Sequence, residues 1–423
     1  LAHHEPLKLP VTEWQETARL AAALVDDPAG FIEPLARVNL PLAGRCAAQP
    51  GVLLDESRRW ALAERLIERS RHPEADLRAR FAAGLALGEL GDTRLESHQG
   101  AHGDYLLSSR ITVPGKVYSL GSDEGEGNSD EARRFSIRID DFELAQCPVT
   151  NAEWRCFMAA GGYENADWWE TEDARAWRLG TLSMEQEKSG YRDIRLRLQR
   201  DFEEATAGFT PTAVEQVQSW VDADDETFET WLSGWFPEGE PVPEPLFWRD
   251  PQFNNPAQPV VGICWYEARA YCRWLSEQAG RRFSLPGEAQ WEAACRGSGR
   301  REYAWEGDYD PMKANVYDTH LRTTTPVGMF PEGDTPEGLM DMTGNVWEWT
   351  RDRYEGYPIQ SDDGRDEATG RHRRVLRGGA FFSFRRSVRA AYRNYDGSVP
   401  ADRLSFVGFR VSCELSPIVK SDR

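Results

Sequence analysis

Apolar residues recur at helical spacing through the first ninety positions. Trp14, Ala18, Leu20, Ala21 and Leu24 follow Thr12 and Gln15, which read as a capping box, and Asp26-Asp27-Pro28 ends the segment. A second stripe runs from Ser57 to Arg71 through Trp60, Leu62, Ala63, Leu66 and Ile67. A third runs from Glu74 to Leu90 through Leu77, Phe81, Leu85, Leu87 and Leu90, and Gly91-Asp92 closes it. A few such helices cannot bury their stripes alone. They are expected to pack on the domain that follows or on a part preceding Leu1. From Ile111 the period changes to two: "ITVPGKVYSLGS" and "RRFSIRIDDFELAQCPVT" alternate as half-buried strands do, with the acidic, glycine-rich loop "SDEGEGNSDEAR" between them. Thr150 then caps a helix carrying Trp154 and Phe157. Residues 165–255 form a tryptophan-rich insert of mixed helix and loop. From Val260 to Cys413 tryptophan, glycine and arginine are dense and long periodic runs are few.

Composition narrows the class. The 423 residues are 40% hydrophobic, enough for a sizeable core and too much for global disorder. The formal net charge of −20 excludes nucleic acid or an anionic membrane as a partner of the whole surface. No apolar run approaches the roughly 18 residues of a membrane helix. The start lacks Met and any signal-like segment, so the expectation is a cytoplasmic piece of a longer protein. Seven cysteines, scattered and without CxxC, read as reduced, buried thiols.

Five phrases then point to a family. "CPVTNAEWRCFM" (147–158), "QPVVGICWYEARAYCRWL" (258–275), "RFSLPGEAQWEAACRG" (282–297), "GLMDMTGNVWEWTRD" (338–352) and "RVLRGGAFFSFRRSVRAAYRNYDG…VGFRVS" (374–412) resemble the formylglycine-generating enzyme (sulfatase-modifying factor) family. "RFAAGLALGELGDTRLE" is similar to the helical phrase that precedes such domains. The resemblance implies an α+β, C-type-lectin fold at 106–415, interrupted by the insert at about 165–255, behind a helical segment at 1–105.

The same resemblance sets expectations for chemistry. The family's oxidase holds copper(I) with two cysteines, at positions that here are Ser383 and Val388, and neither side chain supplies a thiolate. A sister branch, the sulfoxide synthases, holds iron with three histidines, mostly from a helical domain. His98 and His102 have metal-like spacing, but "SHQGAHGDY" reads as a loop, while His72, His320 and His372 are isolated. Carried over from the family, calcium would be held by Asp341, the carbonyls of Gly344 and Val346, and Glu348, with a second site at Asn315 and Val316.

Residues 381–411 contain no Lys, Glu, Gln, Met or Trp. Phe382, Ser383, Phe384, Arg386, Tyr395, Gly397, Ser398, Val399, Leu404, Ser405 and Phe406 all have codons ending in a pyrimidine, as the hypervariable positions of diversity-generating retroelement proteins do, and these resemble that set within about 377–411. The reading is a non-enzymatic ligand-binding sensor module. Its patch would bind an unknown partner, expected to be a protein and neither membrane nor nucleic acid. A fused or associated signalling ATPase of the NACHT/STAND type would read it out. The alternative is a metal-dependent oxidase of the formylglycine-generating or sulfoxide-synthase type with a relocated metal site. Ten arginines within 371–410 are expected to pair internally with carboxylates and carbonyls.

Overall fold

The computed structural model describes residues 14–123, 125–131, 133–207, 211–360, 363–394 and 399–415. Five helices come first: α1 (Gln15–Leu24), α2 (Pro28–Val38), α3 (Leu40–Ala47), α4 (Glu56–Arg71) and α5 (Leu77–Leu90). Asp27, Asn39, Asp55 and Asp76 cap the last four through side-chain oxygens, and Gly91 ends α5 at φ 111°. Sequence periodicity passes over α2 and α3, although Asp27-Pro28 and Asn39-Leu40-Pro41 carry the cap-and-proline start of a helix. Trp14, Leu20, Leu24 and Trp60 are exposed, not on buried stripes; α1 and α4 instead turn Ala22, Leu62, Ala63 and Leu66 inward. Thr12 lies outside the described residues.

The helical segment ends at Leu90, short of 105. A hairpin follows, β1 (Leu95–Gly100) and β2 (Gly103–Ser108), where a loop is expected. The strands β3 (Arg110–Val113), β4 (Lys116–Leu120), β5 (Phe135–Ile139) and β6 (Phe142–Ala145) come next, with β4 and β5 paired antiparallel. The Thr150–Glu153 capping box opens α6 (Asn151–Ala159). The insert holds α7 (Glu172–Arg178), α8 (Glu185–Arg200), α9 (Phe202–Ala205), α10 (Pro211–Asp222) and α11 (Asp225–Trp235). Then come α12 (Trp265–Ala279), β7 (Phe283–Ser284), α13 (Glu288–Arg296), β8 (Trp347–Arg353), β9 (Arg374–Arg377), β10 (Val407–Gly408) and β11 (Ser412–Glu414). One sheet runs β3-β6-β11-β7 and another β10-β8-β9. Trp154 of α6 stacks on Tyr271 of α12 with centroids 5.4 Å apart, and Phe409 meets both rings edge-on. This aromatic knot ties the two helices to the end of β10.

The helical segment docks tightly on the rest. A Cβ on Gly84 would lie 2.7 Å from Pro326, and one on Gly88 would lie 2.2 Å from Asn255. Arg71 reaches Asp334 at 2.7 Å and the Gly328 carbonyl at 2.6 Å, while Phe81 packs with Leu321, Met329 and Phe330. Of the α5 stripe, Leu77, Phe81 and Leu85 thus pack on the following domain, while Leu87 and Leu90 are buried among the helices themselves.

Candidate functional site

Three short strands hold the site. In β8, Glu348 lies opposite Arg377 of β9 and beside Gly408 of the parallel β10. Arg410, just past β10, forms two 2.7 Å bonds to Glu348 and donates to the carbonyls of Ala145, Gln146 and Met340. Trp291 of α13 donates to the same carboxylate at 2.8 Å. On the same helix, Glu292 takes Arg377 and Arg296, and one turn earlier Glu288 takes Arg393 through both oxygens. Burial alone would raise the Glu292 pKa, but the adjacent Arg377 and Arg296 charges overcome that and hold it low. Arg389 pairs with Glu131, and Arg374 and Arg403 bond carbonyls. Most of the tail's arginines are therefore framework.

This frame leads into the loop after β9. Gly378 and Gly379 have φ of 97° and 83°, and a Cβ on Gly379 would lie 2.4 Å from Val388, so glycine is required there. Ser383 closes a turn on Ala380, accepting from its N–H at 3.0 Å, and its own carbonyl accepts from Tyr317. Phe382 and Phe406 meet edge-on at 4.7 Å, with Phe381 behind Phe382 at 5.4 Å and half-buried Leu404 two residues before Phe406. Phe384 meets Tyr317 at 4.5 Å, and the Arg322 guanidinium lies 3.9 Å over the Tyr317 ring. His320 and Arg322, neither glycine, both take positive φ (56° and 60°), strain of the kind that clusters at functional loops.

Of the residues expected to form an exposed patch, Phe382, Phe384, Val399, Leu404 and Phe406 are half-buried and Arg386 is exposed, where it bonds Asn128. Ser383 and Ser405 are buried, so those two do not belong to a surface. Tyr395, Gly397 and Ser398 lie outside the described residues. The sequence reading missed Tyr317 and Arg322. "ANVYD" was singled out only for Asn315 and Val316, and nothing in its spacing places an aromatic ring against residue 384.

The donor chemistry can be tested group by group. Ser383 and Val388 are both buried and carry no thiol, so they do not fit copper(I). All seven cysteines are free; Cys156 is half-buried and the rest are buried, and burial pushes the Cys147 and Cys295 thiols up to about 12. His98 sits in β1 stacked on Tyr105, and His102 sits in the turn against Trp168 and Glu277, so the two do not converge. Among the described residues no three His, Cys, Asp or Glu side chains come together as metal ligands.

The expected calcium ligands do not fit that ion either. Glu348 has both oxygens on Arg410, and Asp341 accepts from Gly328 N–H at 2.7 Å with Arg410, Arg71 and Arg94 nearby. The Gly344 carbonyl accepts from Val346. At the second position the Asn315 and Val316 carbonyls accept from Asn345 and Thr319. Both carboxylates of the first position already have partners, and the Glu348 charge is neutralised by Arg410.

Residues 102–415 match the sulfatase-modifying factor enzyme 1-like domain, well over half of the chain. Two relatives are named hercynine oxygenase. That of Mycolicibacterium thermoresistibile is 29% identical over 420 residues, 91% of this chain and 79% of its own length. That of Mycobacterium tuberculosis is 28% identical over 70% of this chain, which spans 57% of that protein. Two Bos taurus relatives, 27% and 26% identical, are named formylglycine-generating enzyme and inactive C-alpha-formylglycine-generating enzyme 2; they cover 73% and 71% of this chain and 75% and 86% of their own lengths. Treponema denticola variable protein 1 overlays with a TM-score of 0.43 at 16% identity, covering 75% of this chain and 98% of that one, too loose a likeness to argue from. The expectation of a module that is not an enzyme is corrected by the oxygenase and formylglycine-generating relatives, which are named as enzymes.

Proposed function

The chain belongs to the sulfatase-modifying factor enzyme 1-like family, and we propose that it is an oxygen-using enzyme, a metal-dependent oxidase or oxygenase whose substrate docks on the aromatic face at Phe382, Phe406 and Leu404. The observation that carries this reading is the reach of the likeness to the M. thermoresistibile hercynine oxygenase. It takes in 91% of the chain, more than the matched domain alone, so the helical segment is part of it. The tight docking of α5 supports treating the two parts as one working unit. A redox metal would supply oxygen activation; Ser383 and Val388 do not fit it, and no cluster of three metal-ligating side chains stands in their place among the described residues.

This chain's own contribution is positioning. Phe382 and Phe406 offer apolar ring area with one edge already packed, which costs little ordering when a ligand arrives. Arg322, stacked on Tyr317 at the rim, presents a fixed positive charge to an anionic group of the substrate. The buried Glu–Arg pairs beneath hold β8, β9 and the loop in one geometry.

The test is oxygen uptake by the purified chain loaded with iron(II), with cysteine or glutathione, and with and without hercynine. Uptake that needs both protein and thiol supports the reading. Uptake no faster than iron and thiol alone, with iron and then with copper, overturns it.

A further inference from the structure

Far from the aromatic face, helices α2 to α5 enclose a half-open cleft of about 870 Å³. Five arginines line it, Arg37, Arg45, Arg65, Arg69 and Arg78, against two carboxylates, Glu68 and Asp76. In a chain of net charge −20 this is a local reversal of sign. Asp76 is committed as the N-cap of α5, accepting from Arg78 N–H. Arg45 lies 3.4 Å from Glu89, and Arg65 donates to the Ala36 carbonyl at 2.8 Å. The side chains of Arg37, Arg69 and Arg78 have no hydrogen-bond or ion-pair partner among the described residues. They come from three different helices, α2, α4 and α5, and meet at one cavity. Elsewhere in this protein arginines are largely paired with carboxylates or carbonyls, so this convergence is not the general habit of the chain. Leu40, Pro41, Ala79 and Ala82 supply an apolar wall to the same cleft.

We propose that the cleft binds an organic phosphate of nucleotide size, with its phosphate groups on Arg37, Arg69 and Arg78 and its organic part on the apolar wall. Guanidinium forks match phosphate oxygens two at a time, and three of them suit a ligand carrying more than one negative charge. The volume lies in the range of sites that enclose a whole small ligand. A nucleic-acid strand would have to approach through the field of a chain carrying −20, which favours the small ligand. The inference does not depend on the oxidase reading.

The probe is ADP, titrated calorimetrically into the full chain at fixed ionic strength, with acetate as the anion control. One ADP per chain is expected, bound at least tenfold more tightly than acetate and weakened at least tenfold in Arg69→Ser/Arg78→Ser. Arg37, Arg69 and Arg78 are exposed and have no side-chain partner among the described residues, so the unliganded melting temperature should not move. Arg37→Ser, on another helix, is expected to weaken ADP in the same direction and keeps the test decisive if the double variant misfolds. The proposal is overturned if ADP binds no better than acetate, or if neither variant changes its affinity. A single-stranded oligonucleotide that binds more tightly than ADP and displaces it would also overturn the assignment.

Discussion

Replacing Arg410 with methionine removes the cation from a fully buried pair. Glu348 keeps only the Trp291 N–H, the carbonyls of Ala145 and Met340 lose the Arg410 donor, and that of Gln146 keeps the Met340 N–H at 2.8 Å. Breaking one side of a buried, hydrogen-bonded ion pair costs about 3–5 kcal/mol, and the lost donations to the Ala145 and Met340 carbonyls place this case toward the upper end. That is a large share of a typical total of roughly 5–15 kcal/mol. Urea unfolding followed by tryptophan fluorescence measures it directly, and Arg410→Met/Glu348→Gln should recover a good part of the loss because the uncompensated charge is gone while Trp291 keeps an acceptor. A single-variant loss below about 1 kcal/mol, or a double variant no better than the single, would refute the reasoning.

Other outcomes follow from the same geometry. Burial raises the carboxyls of Glu153 and Asp402 to about 7 and those of Asp334 and Asp352 to about 6, so wild-type stability should fall as pH climbs from about 4 toward 7; urea midpoints for Glu153→Gln and Asp402→Asn should show a shallower fall. Gly379→Ala combines a positive φ with overlap on Val388 and should lower the thermal midpoint by an amount matching about 2 kcal/mol or more. Native protein should expose at most one thiol, Cys156, to a colorimetric thiol reagent, and denatured protein seven. Arg71→Ala should loosen the helical segment and speed proteolysis within residues 56–90 while leaving the 102–415 domain resistant.

How much of this was legible in sequence depended on range. Local signals were enough for α4, α5, α6 and β3 to β6, because caps and periodicity lie within a few residues of what they specify. The internal pairing of the tail's arginines was also expected from the sequence. The partners that decide site chemistry were not. Glu348 meets Arg410, 62 residues away, and Glu131 meets Arg389, 258 residues away, and those pairings turn expected cation ligands and surface charges into framework. The aromatic patch was half legible: Phe382, Phe384 and Phe406 do border open surface, but Ser383 and Ser405 turn inward because the 380–383 turn needs the first and the turn leading into β10 buries the second. The HxxxH spacing of His98 and His102 misleads because a hairpin, not a helix, carries it.

The most direct test of the central claim is oxygen uptake by iron(II)-loaded wild type beside Phe382→Ala/Phe406→Ala, with a thiol present. Uptake above the protein-free rate in wild type, with a raised KM for hercynine in the variant at a temperature where both are folded, is what an enzyme working on that face gives. Identical rates for wild type, variant and the protein-free blank would contradict it.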